Sequence, residues 1–361
     1  MQPAKLLKTR IRRKRQTTLS DIAKLAGVAP MTVSRVVNGN GYVGQEMRRK
    51  IEKVIADLQY SPNRLTRSLK GTAINVIGVL LPDLANPFSA ALARGIEDAL
   101  AARAYYAFVI TADRNSQRED AAIQAFSDHR VGGVVLATRC SALDPTALGA
   151  LARDRFPVVV VGPDFTGDYI NHVTARYRDG GFQAAEHLIR LGRRRIAWVG
   201  SGADDSWPLL RFRGYVDALE RHGLRVDPEL AVGPARRVTW CTQLDGYQCM
   251  SRLLDLPNPP DAVFARNDFA AFGALHAMHE RGVKVPDDIA IVGFDNVSMA
   301  AYAAPPLTTV NQFAFEQGKA AGNMVLDKIE VPDLPSREEQ FPCELVIRQS
   351  SGVEAAAQYG D

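Results

Sequence analysis

The chain has 361 residues, 46% of them hydrophobic and 23% charged, a composition of folded globular proteins that excludes a disordered chain. No run approaches the roughly 18 apolar residues a spanning helix needs, and the basic amino-terminal 16 residues have no apolar segment behind them, so neither a membrane span nor a secretory signal is expected. The net charge of +4 hides an asymmetry: residues 1–70 hold 16 Lys/Arg against four acids (Asp21, Glu46, Glu52, Asp57), net +12, while the remainder is net acidic, so one fifth of the molecule suits a polyanion such as nucleic acid.

Residues 1–16 form a basic arm without periodicity and are expected to be disordered. Three short amphipathic helices follow, with apolar stripes Ile22, Leu25, Ala26, then Val33, Val36, Val37, then Ile51, Val54, Ile55, Leu58. Thr18 can cap the first, Gly27 breaks it, and Pro30 starts the second. The stripe on the second helix leaves Met31, Ser34, Arg35 and Asn38 facing outward. Arg35 carries donors for a bidentate contact to guanine, and Thr32 or Ser34 can bind phosphates, so the pair joined through Gly27 is expected to be a helix-turn-helix. Residues 61–71, opened by Pro62, suit either a linker or a marginal helix.

Beyond Thr72 short apolar runs alternate with helical segments. Val76–Leu81, Tyr106–Ile110, Val134–Leu136 and Val158–Val161 predict buried parallel strands, and Ile196–Val199, Ala262–Ala265 and Ile289–Val292 repeat the rhythm. Helical patterns lie between them, at Ala90–Ala102, Ala184–Leu191, Leu209–Glu220 and Phe269–Arg281. The fold class expected is α/β: a three-helix headpiece plus a two-lobed, doubly wound core with its ligand in the cleft at the carboxyl ends of the strands.

The stretch Thr18-Leu-Ser-Asp-Ile-Ala-Lys-Leu-Ala-Gly-Val-Ala-Pro-Met-Thr-Val-Ser-Arg-Val-Val-Asn38, with Tyr60-Ser-Pro-Asn and Arg67-Ser-Leu-Lys70, resembles the headpiece and hinge of the LacI/GalR family of bacterial repressors. The likeness continues through Ile77-Gly-Val-Leu-Leu-Pro-Asp, Asn86-Pro-Phe88, Asn267-Asp268, Val285-Pro-Asp-Asp-Ile-Ala-Ile-Val-Gly-Phe-Asp295 and Pro306-Leu-Thr-Thr309, to about residue 350. It implies a cytoplasmic, homodimeric or tetrameric regulator of a carbohydrate or sugar-acid operon, with a core like a periplasmic sugar-binding protein. Such a dimer binds an inverted-repeat operator and is released by a sugar, sugar acid or sugar phosphate. The parts implied are a headpiece at 17–60, a hinge at 61–71, a core at 72–350 and a tail at 351–361. Lobe 1 of that core would be about 72–175 with 308–350, and lobe 2 about 176–307. By this resemblance Pro30, Met31 and Arg35 read bases, while Thr18, Leu19, Thr32, Ser34, Asn38 and Tyr42 lie near phosphates or groove edges. Asn63, Arg64, Arg67 and Leu69 belong to a hinge helix, with Leu69 wedged into the minor groove. Ala29 and Thr66 depart from the family's usual Ser and Ala.

In the core the strand ends deliver Asp83, Asn86 and Phe88, then Asn267 and Asp268, then Asp295; by the resemblance Arg211, Asn267, Asp295 and Gln312 correspond to pocket positions of the family. Polyhydroxylated ligands need such bidentate groups together with aromatic faces, for which Phe88, Trp240 and Phe294 are candidates. Gly162 stands where relatives often have an acid, with Asp164 two residues on, and Arg139 and Arg266 also occupy strand ends; an arginine facing the cleft would favour an acidic or phosphorylated sugar.

Enzyme signals are poor. Gly200-Ser-Gly202 lacks the third glycine of a dinucleotide loop because Asp205 takes its place, and no Walker, Gly-x-Ser-x-Gly or His-Glu-x-x-His motif occurs. Four scattered cysteines (Cys140, Cys241, Cys249, Cys343) without C-x-x-C spacing, and His276 and His279 without clustered partners, offer no metal site. No catalysis, cofactor or metal is expected; a solute receptor without a DNA role and a co-repressor-type regulator are the rival readings.

Overall fold

The computed structural model describes residues 18–38, 41–58, 75–113, 115–137, 155–162, 170–200, 210–234 and 241–352. Two compact units divide the chain, residues 1–74 and 75–361.

In the first unit α1 (Leu19–Ala26), α2 (Pro30–Asn38) and α3 (Gln45–Asp57) close around Ile22, Ala23, Ala26, Val33, Val36 and Ile51. The cap on α1 is reciprocal: the Thr18 hydroxyl accepts from the Asp21 amide, and the Asp21 carboxylate accepts from the Thr18 amide and hydroxyl. Gly27, at φ 68°, ends the helix in the left-handed region where a Cβ is unfavourable. The expected apolar stripe is corrected in one place: Leu25 is 62% exposed, and Ala23 takes its place inside. With α1 only eight residues long, the face toward α2 and α3 is set by Leu19, Ile22, Ala23 and Ala26, and Leu25 falls on the far side.

The second unit is the two-sheet α/β core. Its elements run β1 (Val76–Leu81), α4 (Pro87–Ala102), β2 (Tyr106–Thr111), α5 (Ser116–Asp128), β3 (Val134–Leu136), β4 (Val158–Val161), β5 (Asn171–Ala175), α6 (Tyr177–Arg190) and β6 (Ile196–Val199). There follow α7 (Leu210–Arg221), β7 (Ala231–Val232), α8 (Gln243–Leu254), β8 (Ala262–Ala265), α9 (Asp268–Glu280), β9 (Ala290–Phe294), β10 (Thr308–Asn311), α10 (Ala314–Glu330), β11 (Glu338–Phe341) and β12 (Glu344–Val346). One six-stranded sheet has the order β11-β5-β4-β3-β1-β2 and is parallel throughout; the other is β12-β10-β9-β8-β6-β7, parallel except for β12. Helices cover both faces of each sheet, giving two apolar layers per lobe, as the doubly wound reading requires. Helix pairs α4/α10, α6/α7 and α8/α9 approach backbone to backbone: a Cβ on Gly95, Gly181 or Gly273 would overlap a carbonyl oxygen of the facing helix.

The lobe boundary expected near residue 308 is corrected. β10 pairs with β9, and β12 with β10, so Thr308–Asn311 and Glu344–Val346 belong to the second sheet, while α10 and β11 return to the first. β2 is also no fully buried strand. It lies at the sheet edge, with Tyr106 53% and Val109 36% exposed.

Candidate functional site

On the headpiece, Met31 and Arg35 stand exposed on α2, with Pro30 at its start; Tyr42 is 92% exposed in the following turn. Thr18 is exposed, and Leu19 and Thr32 are half-buried. The outward face carries Arg35 as its cation while Val33 and Val36 hold the helix to the core, so the guanidinium is free to reach a groove without unfolding the support. Ser34 is a correction: it is only 8% exposed, because it falls beside Val33 on the inward half of a nine-residue helix, and it does not share the face of Met31 and Arg35. The Asn38 side chain and the hinge residues Asn63, Arg64, Arg67 and Leu69 lie outside the described residues, as do Arg139, Asp164 and Trp240.

In the core, strands β8, β9 and β10 are neighbours, and their carboxyl ends place Arg266, Asp295 and Gln312 side by side. Arg211, in the first turn of α7, lies across them. Its Nη2 is 3.3 Å from Asp295 Oδ1, its Nη1 donates to the Arg266 carbonyl at 2.8 Å, and its guanidinium sits 3.8 Å over the Phe294 ring and 5.1 Å over that of Tyr177. Gln312 Nε2 donates to the same Asp295 oxygen at 2.5 Å. Asp295 itself is held at φ 115°, a strained backbone for a residue with a side chain, which re-aims its carboxylate at the strand end. Burial pushes its carboxyl up to about 6, against the opposing pull of Arg211, Gln312 and Arg266.

Three expected ligand groups are turned to other work. Asn267 caps α9 by accepting from the Ala270 amide at 2.9 Å and donates to the Cys241 carbonyl at 3.0 Å, so both ends of its amide are engaged. Asp268 is wholly buried and accepts from Thr309 Oγ1 at 2.5 Å and the Val297 amide at 2.8 Å; burial and the nearby Asp295 push its carboxyl well above the usual range. Phe294 has no exposed surface and is covered by Arg211, so it serves the guanidinium and cannot offer a face to a ligand.

On the first lobe, Asp83 accepts from the Ala85 amide at 2.8 Å in the loop after β1. Asn86 caps α4 through Phe88 N at 2.9 Å, while its buried Nδ2 has no partner among the described residues; Phe88 is half-buried behind it. Of the core residues that the sequence points to, the fold brings Arg211, Asp295 and Gln312 together. It did not assign Tyr177, the second ring beneath Arg211, because that residue stands at the start of a helix with no apolar rhythm to mark it.

Residues 18–63 match the family model for bacterial regulatory proteins of the lacI family, and residues 185–351 match that of a periplasmic binding protein-like domain. The chain is 33% identical over 341 residues to the HTH-type transcriptional regulator DegA of Bacillus subtilis (strain 168), covering 93% of this chain and 98% of that protein. Among solved structures, the transcriptional regulator CelR in complex with cellobiose is 29% identical, with a TM-score of 0.67 over 93% of this chain and all of the other. The lac repressor dimer bound to operator and the anti-inducer ONPF is 26% identical, with a TM-score of 0.77 over 93% of this chain and 99% of the other.

Proposed function

The chain belongs to the lacI family of bacterial regulatory proteins, a DNA-binding head joined to an effector-binding core, and from that membership we propose that it is a cytoplasmic repressor of a carbohydrate-utilisation operon. Two copies set their α2 helices on an inverted-repeat operator, Arg35, Met31 and Pro30 toward the bases and Thr18, Leu19, Thr32 and Tyr42 toward the backbone. Asn63, Arg64, Arg67 and Leu69 keep the minor-groove role that the resemblance implies. A sugar-like effector binds at Arg211, Asp295 and Gln312 and releases the DNA by changing the equilibrium between two arrangements of the lobes. The relatives named as a lac repressor dimer on operator and as a cellobiose complex support both halves of this reading.

The observation that carries it is the joining, in one chain, of a net +12 segment built on an exposed recognition helix to a buried arginine–carboxylate–amide cluster at the strand ends. A gel shift of the purified chain on fragments of its source genome, repeated at rising salt, tests it. Specific retention of a few fragments, weakening linearly in log salt, is expected; a chain that retains no duplex fragment at low ionic strength is not such a repressor.

A further inference from the structure

The turn that carries Asp295 is strained over two residues. Asp295 at φ 115° and Asn296 at φ 50° stand consecutively in the left-handed half of the map, which side-chain-bearing residues keep only where their surroundings over-determine them. The Asp295 amide belongs to the sheet, bonded to the Val310 carbonyl at 2.9 Å, so the freedom left in the turn lies in the two residues after it. Their amides end on one carboxyl. Asp268 Oδ2 accepts from the Val297 amide at 2.8 Å, and Oδ1 accepts at 2.5 Å from the Thr309 hydroxyl, whose oxygen in turn accepts from the Asn296 amide at 3.3 Å. Asp268 lies close against β9, where a Cβ on Gly293 would come within 2.3 Å of Oδ1. Helix α9 does not account for this acid: Asn267 already caps it, and the Asp268 carboxyl reaches away from its own helix although its complete burial is costly.

We propose that Asp268 is a positioning residue of the effector site: with Thr309 it brackets the Asn296 and Val297 amides and so fixes the strained turn that aims the Asp295 carboxylate at Arg211 and Gln312. This rests on the reading of Asp295 as a ligand group and adds what keeps that group in place before the ligand arrives. Such preorganisation raises affinity by removing the cost of ordering the carboxylate at binding. The adjacent residues Asn267 and Asp268 thus divide the work, one starting α9 and the other setting the turn beyond β9.

Titration of Asp295 in the ligand-free full chain tests this, followed by NMR of the aspartate carboxyl carbons and assigned by the signal lost in Asp295→Asn. Thr309→Val keeps the shape of the side chain but removes the hydroxyl, so Asp268 Oδ1 loses its donor and the Asn296 amide its acceptor. The turn then relaxes and Asp295 swings toward water. Its hold on the proton, which burial places at about 6 in the wild type, is expected to weaken by about tenfold or more, toward the ordinary aspartate value. Thr309→Ser returns the hydroxyl and should restore the wild-type midpoint; thermal melting confirms that each variant is folded. An unchanged midpoint in folded Thr309→Val, or a Thr309→Ser that behaves like Thr309→Val, overturns the proposal. Asp268→Ala should follow Thr309→Val, while Asp268→Asn, whose amide can still accept from Val297 and donate to Thr309, should stay near the wild type. An Asn variant that shifts as far as the Ala variant also overturns it, since charge and not the bracket would then set the midpoint. Whether Asp295 holds an effector is decided separately, by calorimetry of wild type and Asp295→Asn with cellobiose and D-glucose: a sugar bound equally by both sinks the site reading and leaves the titration result standing.

Discussion

Replacing Arg211 by Ala is the most informative perturbation, because Arg211 and Asp295 form a nearly buried ion pair with side chains 14% and 2% exposed. Breaking such a pair commonly costs about 3–5 kcal/mol, since a bare charge is left behind. Asp295 has another route: it can take a proton. With its carboxyl at about 6, the charged form at pH 7 is favoured over the neutral one by only about 1.4 kcal/mol, one pKa unit. Removing Arg211 raises the carboxyl further and converts the site to the neutral acid at about that cost. To this is added the lost contact with the Arg266 carbonyl and the Phe294 ring, together about 2 kcal/mol. Arg211→Ala should therefore destabilise the chain by about 3 kcal/mol at pH 7 and by about 2 kcal/mol at pH 5, where Asp295 is already largely protonated in the wild type. The sign agrees with linkage: an acid raised from 3.8 to about 6 contributes its stability in full below pH 3.8 and loses it as the pH climbs through 6. Urea unfolding of wild type and variant at both pH values measures the difference. A loss of roughly 4 kcal/mol or more that is the same at pH 5 and pH 7 would refute the protonation route. The variant should also keep its operator and ignore its effector; normal release would remove Arg211 from the site.

The headpiece and the support of the site give three further tests. Thr18→Ala breaks the reciprocal cap of α1 and should cost about 1 kcal/mol, seen as roughly fivefold faster hydrogen exchange of the α1 amides; unchanged rates would make the cap idle. Arg35→Ala should relax preference at one base pair by about 1–3 kcal/mol in competition with singly substituted operators, whereas an equal loss on every sequence would assign Arg35 to a phosphate. Gly181→Ala puts a Cβ against the Arg211 carbonyl, so the α6/α7 contact must open, with about 1–3 kcal/mol lost and a blunted effector response. Wild-type melting and response in that variant would show that the contact does not position Arg211.

The core strands were legible because a parallel strand covered on both faces leaves an unbroken apolar run: β1, β3, β4, β6 and β8 begin and end where their Val- and Ala-rich segments do. Elements that serve another element were not. The first turns of α6, Tyr177-Arg-Asp-Gly-Gly, hide their helix behind two glycines whose purpose is the approach of α7 and of Cys343, a contact no local pattern announces. Strand β11, with the pattern Glu-Glu-Gln-Phe, is polar because it is an edge. At the site, residue type and position pointed to six core acids and amides alike, yet Asn267 and Asp268 turn their polar atoms into the fold. Which of several similar groups faces a ligand depends on partners far away in sequence, Cys241 and Thr309 here, and only the folded chain reveals them.

The displaced lobe boundary matters for how a bound ligand could reach the DNA. Because β10 belongs to the second sheet and α10 packs on α4 against the first, the chain crosses between lobes at Gln312 and Phe313, the latter at φ 59°. Gln312 is tied on both sides of that crossing: its Nε2 holds Asp295, and its main-chain oxygen accepts from Gln317 Nε2 on α10. A ligand that moves Asp295 therefore pulls on the start of α10. With Gly318 pressed against the Leu92 carbonyl of α4, a close-packed contact passes that displacement on where a flexible one would absorb it. Gln312→Ala cuts the tie to Asp295 and leaves Arg211 in place. The ligand should still bind, within about tenfold of wild type, yet release less operator DNA at equal occupancy, since the coupling to be lost is of the order of 1–3 kcal/mol. Parallel measurement of ligand occupancy and DNA release decides the matter: if release falls only as far as occupancy does, the signal crosses between the lobes by another strand.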